Sequence, residues 1–274
     1  MKIRLTDLHN DAITNLLPKK FLAYVKRAKK VGVETILVSV WTTEMQNPLE
    51  RIREYNKMLG EGLLLHIEDA WFVNKDNIDE LINLRPFSVG LTWNEDNALA
   101  GGAYGDGGLT PLGRAVIKKL VANGIHIDLA HLNRKSFFQV AKLLKGQKLL
   151  CTHTCFDEVH PHLRNLNRKQ IQTIVDSGGL IGLTLVSDFL GAGDVWGHIK
   201  YFLDNFGEDN LAIGTDFFGT TNLPKNLKRY KDFRRFKKFL ASKGLTDSTI
   251  NKIYHINYHD FQRTDRTNQS PLNP

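Results

Sequence analysis

Residues 111–154, PLGRAVIKKLVANGIHIDLAHLNRKSFFQVAKLLKGQKLLCTHT, repeat one pattern twice. Apolar residues at helical spacing over Pro111 to Asn123 stop at Gly124, and a short β-rich run, IHIDL from Ile125, follows at once. Helical spacing resumes over Arg134 to Leu144 and gives way to KLLCT from Lys148. A helix that ends on glycine can turn its last residue into the left-handed conformation and feed a strand. Strands joined in this way through helices lie parallel to one another.

Working outward, similar runs begin at Ile3 (IRLTDL), Thr35 (TILVSV), Leu63 (LLLHI), Phe87 (FSVGL), Leu180 (LIGLT) and Leu211 (LAIG), which makes eight candidate strands. Helical spacing also covers Phe21 to Lys30, Leu49 to Leu59, Ile78 to Leu84, Arg168 to Ser177 and Val195 to Phe206, and Gly32, Gly60 and Gly178 stand before strands as Gly124 does. Eight βα units in 274 residues predict an α/β protein, a single (β/α)8 TIM barrel, because that fold uses about 250 residues as one domain. An open doubly wound sheet is the alternative. The barrel is expected over residues 1–262, with a disordered polar tail, RTDRTNQSPLNP, over 263–274. The irregular stretch from Trp93 to Gly108 would lie over the barrel mouth as a binding loop.

Catalytic groups of this fold collect at the C-terminal ends of the strands. The first strand runs into His9 and Asp11, which period-2 alternation puts on one face, with Asp7 two residues below as a support. Strand 3 ends with Glu68, strand 5 with His131, strand 6 with His153 and strand 8 with Asp216. Alone, each is as easily a satisfied buried polar residue. Three histidines and three carboxylates converging on one point would be costly to bury unpaired, and imidazole nitrogen with carboxylate oxygen is a donor set for a divalent metal.

The formal charge is +8, with a pI near 9.4, which bears on solubility and steering rather than on chemistry. The basic and aromatic segment from Lys228, KRYKDFRRFKKFL, reads as an outer helix with an apolar stripe and a solvated basic face, so no nucleic acid is expected. Acids and amides interrupt the first seventeen residues where a secretory signal needs an apolar run, and no stretch approaches the roughly 20 residues of a membrane span. Cys151 and Cys155 suit free thiols in a reducing compartment. A cytoplasmic protein without a membrane partner is the expectation.

DLHND from Asp7, LTWNEDN from Leu91, GGLTPLG through GIHIDLAH, THT from Thr152, HLRN from His162, IGTDFFG from Ile213 and the ending LTDSTINKIYHINYHDFQR together resemble the membrane dipeptidases, also called renal dipeptidases. The resemblance implies a dipeptidase with two Zn2+, one held by His9 and Asp11, the other by His131 and His153, and Glu68 bridging both. It implies that Asp216 works with Glu68 in catalysis as the proton carrier beside the bridging water, and that Arg164, eleven residues after His153, grips the substrate carboxylate with Trp93 and Asp216 beside it. A small dipeptide of the form L-Xaa-L/D-Xaa is the implied substrate, and a homodimer the family habit. Three positions depart from the familiar pattern: Trp93 where a histidine assists the oxyanion, Phe218 for the second Asp of DFDG, and Asp69 for the usual Gly. They keep two alternatives open: the same site acting on another amide, a lactone or a phosphodiester, and an inactive barrel serving as a binding protein.

Overall fold

The computed structural model describes residues 3–191 and 194–265. Eight strands, β1 Leu5–Asn10, β2 Val33–Trp41, β3 Leu63–Glu68, β4 Ser88–Gly90, β5 His126–Asp128, β6 Leu150–Thr154, β7 Leu180–Leu183 and β8 Leu211–Ile213, follow one another around a closed barrel. Every neighbouring pair is parallel, and β8 lies beside β1 with Ile213 opposite Asp7. That closure rules out the open sheet.

The helices fall where the spacing puts them: Pro18–Val31, Pro48–Asn56, Ile78–Asn83, Pro111–Ala122, Arg134–Leu143, Arg168–Asp176 and Val195–Phe206. Four start on polar caps, with Thr110, Asn133, Asn167 and Asp194 side chains accepting from the backbone of Gly113, Ser136, Gln170 and Gly197. In the first long helix Phe21, Val25 and Ala28 are buried at i, i+4 and i+7 while its lysines face solvent. Gly32 and Gly178 take the left-handed turn expected of them, but Gly60 does not. Gly62, with φ of 74°, supplies that turn instead, one residue before β3.

Most of the core lies between barrel and helices. A smaller cluster, Leu8, Leu37, Leu150, Leu180 and Ala212, is capped by Tyr258 and Phe261 from the final helix, Asn257–Asp265. That helix runs to Asp265, and the rest of the expected tail, residues 266–274, lies outside the described residues. Among the described residues no helix is long and apolar enough to cross a membrane. Cys151 and Cys155 are free and buried.

Two strands break the period of two. In β1 four residues, Asp7 to Asn10, lie opposite three in β2, and in β6 four, Cys151 to Thr154, lie opposite three in β7. Each extra residue is a local bulge, a device that re-aims side chains beside active sites. Both affected strands carry site histidines, His9 and His153.

Candidate metal centre

The strand ends bring His9, Asp11, Glu68, His131 and His153 together, all buried, with Asp216 half-buried beside them. Glu68 lies at the middle. Its Oε1 is 2.9 Å from His131 Nε2 and 3.6 Å from His153 Nε2, and those two nitrogens are 2.9 Å apart. Its Oε2 is 3.6 Å from His9 Nε2, which is itself 3.4 Å from Asp11 Oδ2. One carboxylate thus faces two groups of ligand atoms, one oxygen to each. Asp216 lies close enough to His9 and Asp11 for all three to share one cation.

These residues fit a metal centre. Ligands bound at about 2.0–2.2 Å are separated from each other by roughly 2.9–3.6 Å, the spacing found here. Among the described residues His9 Nε2 and Asp11 Oδ2 are buried without a hydrogen-bond partner, a costly state that coordination would relieve.

Behind the ligands stands a polar layer that fixes them. Asp128 accepts from Thr152 Oγ (2.6 Å) and from the Thr152 and Ala130 backbone, and Thr152 Oγ meets His153 Nδ1 at 2.9 Å and His9 Nδ1 at 3.3 Å. A single carboxylate therefore sets the orientation of two imidazoles through one hydroxyl. Ser39 donates to Glu68 Oε2, and Asn94, from the long loop, meets His131 Nδ1 at 2.9 Å. The Asp96 carboxylate holds that loop by accepting from the Gly102 and Gly107 backbones. Asn94→Ala is expected to lower metal affinity about 10–100-fold, because His131 loses the bond that aims its ring; competition against a chromogenic chelator measures it. Four non-glycine residues around the site, Asp69, His131, Asp216 and Phe218, hold positive φ, which costs energy unless the surroundings enforce it. Asp69, where glycine was the family expectation, is held by Thr43 Oγ and Asn97 Nδ2.

Electrostatics divide the three imidazoles. Burial, assisted by the Arg164 charge, pushes His131 down to about 4, and burial with the neighbouring His9 pushes His153 down as well, so both are neutral at pH 7 and ready to ligate. Burial works against the charged form of His9 too, but Asp11 and Glu68 more than offset it and hold His9 well above its ordinary value. Metal loading of the stripped protein at pH 7 should therefore release the proton held by His9, besides any lost by the raised Asp216 carboxyl and by metal-bound water. Calorimetry in two buffers of different ionisation enthalpy counts the protons, and release of none would contradict a charged His9.

Above the ligands lies a cavity of 350 Å³ lined by Trp41, Trp93, Phe189, Phe218, Asp188 and Asn15 together with Asp11, Glu68, His131 and Asp216. A larger cleft of 1030 Å³ between Trp196 and Phe239 contains none of the ligands, so volume alone does not mark the site. Trp93 stands over His131 and against Trp41, with ring centroids 6.2 and 5.4 Å away. Arg164 is buried, its guanidinium 5.4 Å from the Phe189 ring, Nη2 donating at 3.4 Å to the His153 carbonyl, and Nε without a partner among the described residues. A surface arginine is thereby excluded. His162 accepts from the Arg164 backbone and packs on Phe189, and His160 lies against Gly191, so the two shape the arginine loop.

Asp7 supports His9 through the main chain, accepting from the His9 backbone N–H at 3.3 Å. Its carboxylate accepts from Tyr230 Oη (2.6 Å), Thr215 Oγ (2.7 Å), the Thr215 backbone (2.7 Å) and Asn10, which also meets Tyr24. The basic segment from Lys228 consequently does more than pack: Tyr230 reaches Asp7, while Phe239, expected in the apolar stripe, is 41% exposed. His66, Asp128, Thr152 and Asn94 were not singled out by sequence reasoning. The available signal was the cost of burial, since His66 and Asp128 are polar residues fully buried in barrel strands.

The sequence pattern of the family described as "Membrane dipeptidase (Peptidase family M19)" matches residues 64–268. An uncharacterized protein in the pqqA 5' region of Klebsiella pneumoniae is 30% identical over 234 residues, 77% of this chain and 83% of that protein. The fold is similar to that of a metallo peptidase from Rhodobacter sphaeroides liganded with a phosphinate mimic of the dipeptide L-Ala-D-Ala, with a TM-score of 0.83 at 20% identity over 95% of this chain and 99% of the other. An amidohydrolase from Pseudomonas aeruginosa matches with a TM-score of 0.83 at 19% identity, over 95% and 96% of the two chains.

Proposed function

Because the chain belongs to the membrane dipeptidase family, peptidase family M19, and is a metal-dependent dipeptidase, we propose that its cofactor is a pair of zinc ions and its substrate a small L-Xaa-L/D-Xaa dipeptide. The observation that carries this reading is Glu68, whose two carboxylate oxygens face separate groups of ligands, His131 and His153 on one side and His9 and Asp11 on the other. Zinc at such ligands supplies an activated water and polarises the scissile carbonyl.

The remaining chemistry belongs to the side chains. Asp216 takes the proton that the attacking water loses and hands it to the leaving nitrogen. Burial first, and the Asp11 carboxylate second, raise its carboxyl well above the ordinary range, which makes the protonated form accessible. Arg164 binds the C-terminal carboxylate of the substrate, and its partnerless Nε and burial favour an anionic ligand. Trp93 contributes an apolar wall and one N–H donor, but it cannot carry the charge an imidazole would, so less of the oxyanion stabilisation comes from this position. Trp41, Trp93 and Phe189 favour apolar substrate side chains. The free, buried Cys151 and Cys155 are consistent with action in the cytoplasm.

The test pairs metal stoichiometry by mass spectrometry with a panel of L,L and L,D dipeptides, lactones and phosphodiesters, with and without added zinc. Two zinc ions and zinc-dependent dipeptide cleavage are expected. Two ions with turnover of only a lactone or phosphodiester would transfer the site to that substrate, two ions with no turnover at all would mark a binding protein, and no metal would sink the reading. Arg164→Ala should raise KM about 100-fold for dipeptides with little change in kcat, because the bidentate ion pair forms on binding. A dipeptide amide, lacking the carboxylate, should be insensitive to this substitution.

A further inference from the structure

At the opposite end of the barrel stands a second set of metal-type ligands. Glu34 is the second residue of β2, His255 lies in the π-helical turn Lys252–Ile256, and His259 lies one turn on, in the helix that caps the barrel floor. One ligand atom from each lies within 4.8 Å of the others. His255 Nδ1 is 3.6 Å from Glu34 Oε2, and the two imidazole centroids are 4.9 Å apart. Two histidines at i and i+4 of a helical segment present their nitrogens to one point, and with a carboxylate from a neighbouring element they make a donor set for zinc and similar cations.

The nitrogens themselves point to a ligand. His255 is 6% exposed, and among the described residues neither its Nδ1 nor His259 Nε2 has a hydrogen-bond partner. Buried imidazoles kept for packing normally satisfy both nitrogens, as His198 does with the Phe156 backbone N–H and the Leu190 carbonyl. Arg4 donates to both oxygens of Glu34, at 2.6 and 3.1 Å, and holds the carboxylate ionised. It leaves free lone pairs on Glu34, since each carboxylate oxygen accepts more than one bond. Burial, with the Arg4 charge, depresses both histidines and so keeps them in the neutral, ligating form.

We propose that Glu34, His255 and His259 bind one divalent cation of the zinc class, independent of the catalytic centre, and that this ion clamps the final helix to β2. Three protein ligands leave a position open to water. The consequence is mechanical: Tyr258 and Phe261 of the same helix close the apolar floor of the barrel, so pinning His259 to β2 holds that floor in place.

The experiment is equilibrium dialysis of the full-length protein against micromolar free Zn2+, with metal counted by mass spectrometry. The proteins compared are the wild type, His259→Ala and Glu34→Gln, and the same two substitutions in a chain whose catalytic centre is disabled by His131→Ala and His153→Ala. Either floor substitution should remove one zinc per chain in both backgrounds. In the disabled background zinc should raise Tm by about 5 °C, and His259→Ala should abolish the rise. Equal zinc content with and without the floor substitutions, or uptake only at millimolar zinc, would overturn the site. Should His259→Ala fail to fold, Glu34→Gln decides alone, because it replaces an exposed carboxylate by an amide of the same size; a folded Glu34→Gln protein with undiminished zinc refutes the clamp.

Discussion

Glu68→Ala is expected to lower kcat/KM by about 10⁴, a loss of roughly 5.4 kcal/mol of transition-state stabilisation, and to reduce bound metal from two ions per chain to one or none. The size follows from position. Glu68 offers one carboxylate oxygen to each ligand group, with His131 at 2.9 Å from one oxygen and His9 at 3.6 Å from the other. Its removal also takes a negative charge from beside His9, so the site attracts an incoming cation less strongly. Glu68→Gln, which keeps the volume and one good acceptor, should fall between wild type and Glu68→Ala in both readouts. Metal analysis and dipeptide turnover on the same preparation check this. Two ions and normal turnover in Glu68→Ala would sink the bridging role.

Asp216→Asn should lower kcat about 10³-fold while leaving KM and metal content near wild type. Asparagine keeps the size, keeps an acceptor oxygen and tolerates the φ of 58° found at this position, so the backbone is not disturbed. What it loses is the ability to carry a proton. The acidic limb of the kcat profile, set by a carboxyl that burial and Asp11 raise, should disappear with it. Asp216 also lies near enough to His9 and Asp11 to be a ligand, and metal content distinguishes the roles. A parallel fall of metal and kcat would make Asp216 a ligand in place of a proton carrier.

The fold and the candidate metal ligands could be read in one dimension because both are periodic or terminal properties. Helical spacing that ends on Gly and restarts after a short β-rich run names the βα unit, and eight such units leave the barrel as the way to bury every strand on both faces. His9, Asp11, Glu68, His131 and His153 lie at or just beyond strand ends, where the fold gathers its chemistry. Gly60 failed for a local reason: Gly62 offered an equivalent left-handed turn closer to β3.

The barrel, the family and the metal-type residues proposed for the strand ends are thus legible in the amino-acid sequence. Tertiary structure alone decided which residues aim them and what lies at the other end. Asp128 reaches His153 and His9 only through Thr152, 24 positions along the chain, and Tyr230 reaches Asp7 across 223 positions. Glu34 meets His255 only because the last helix folds back under the barrel. Spacing along a chain reports faces and ends of single elements, whereas a hydrogen bond or a coordination set depends on distances of a few ångströms between elements, which only closure of the barrel establishes.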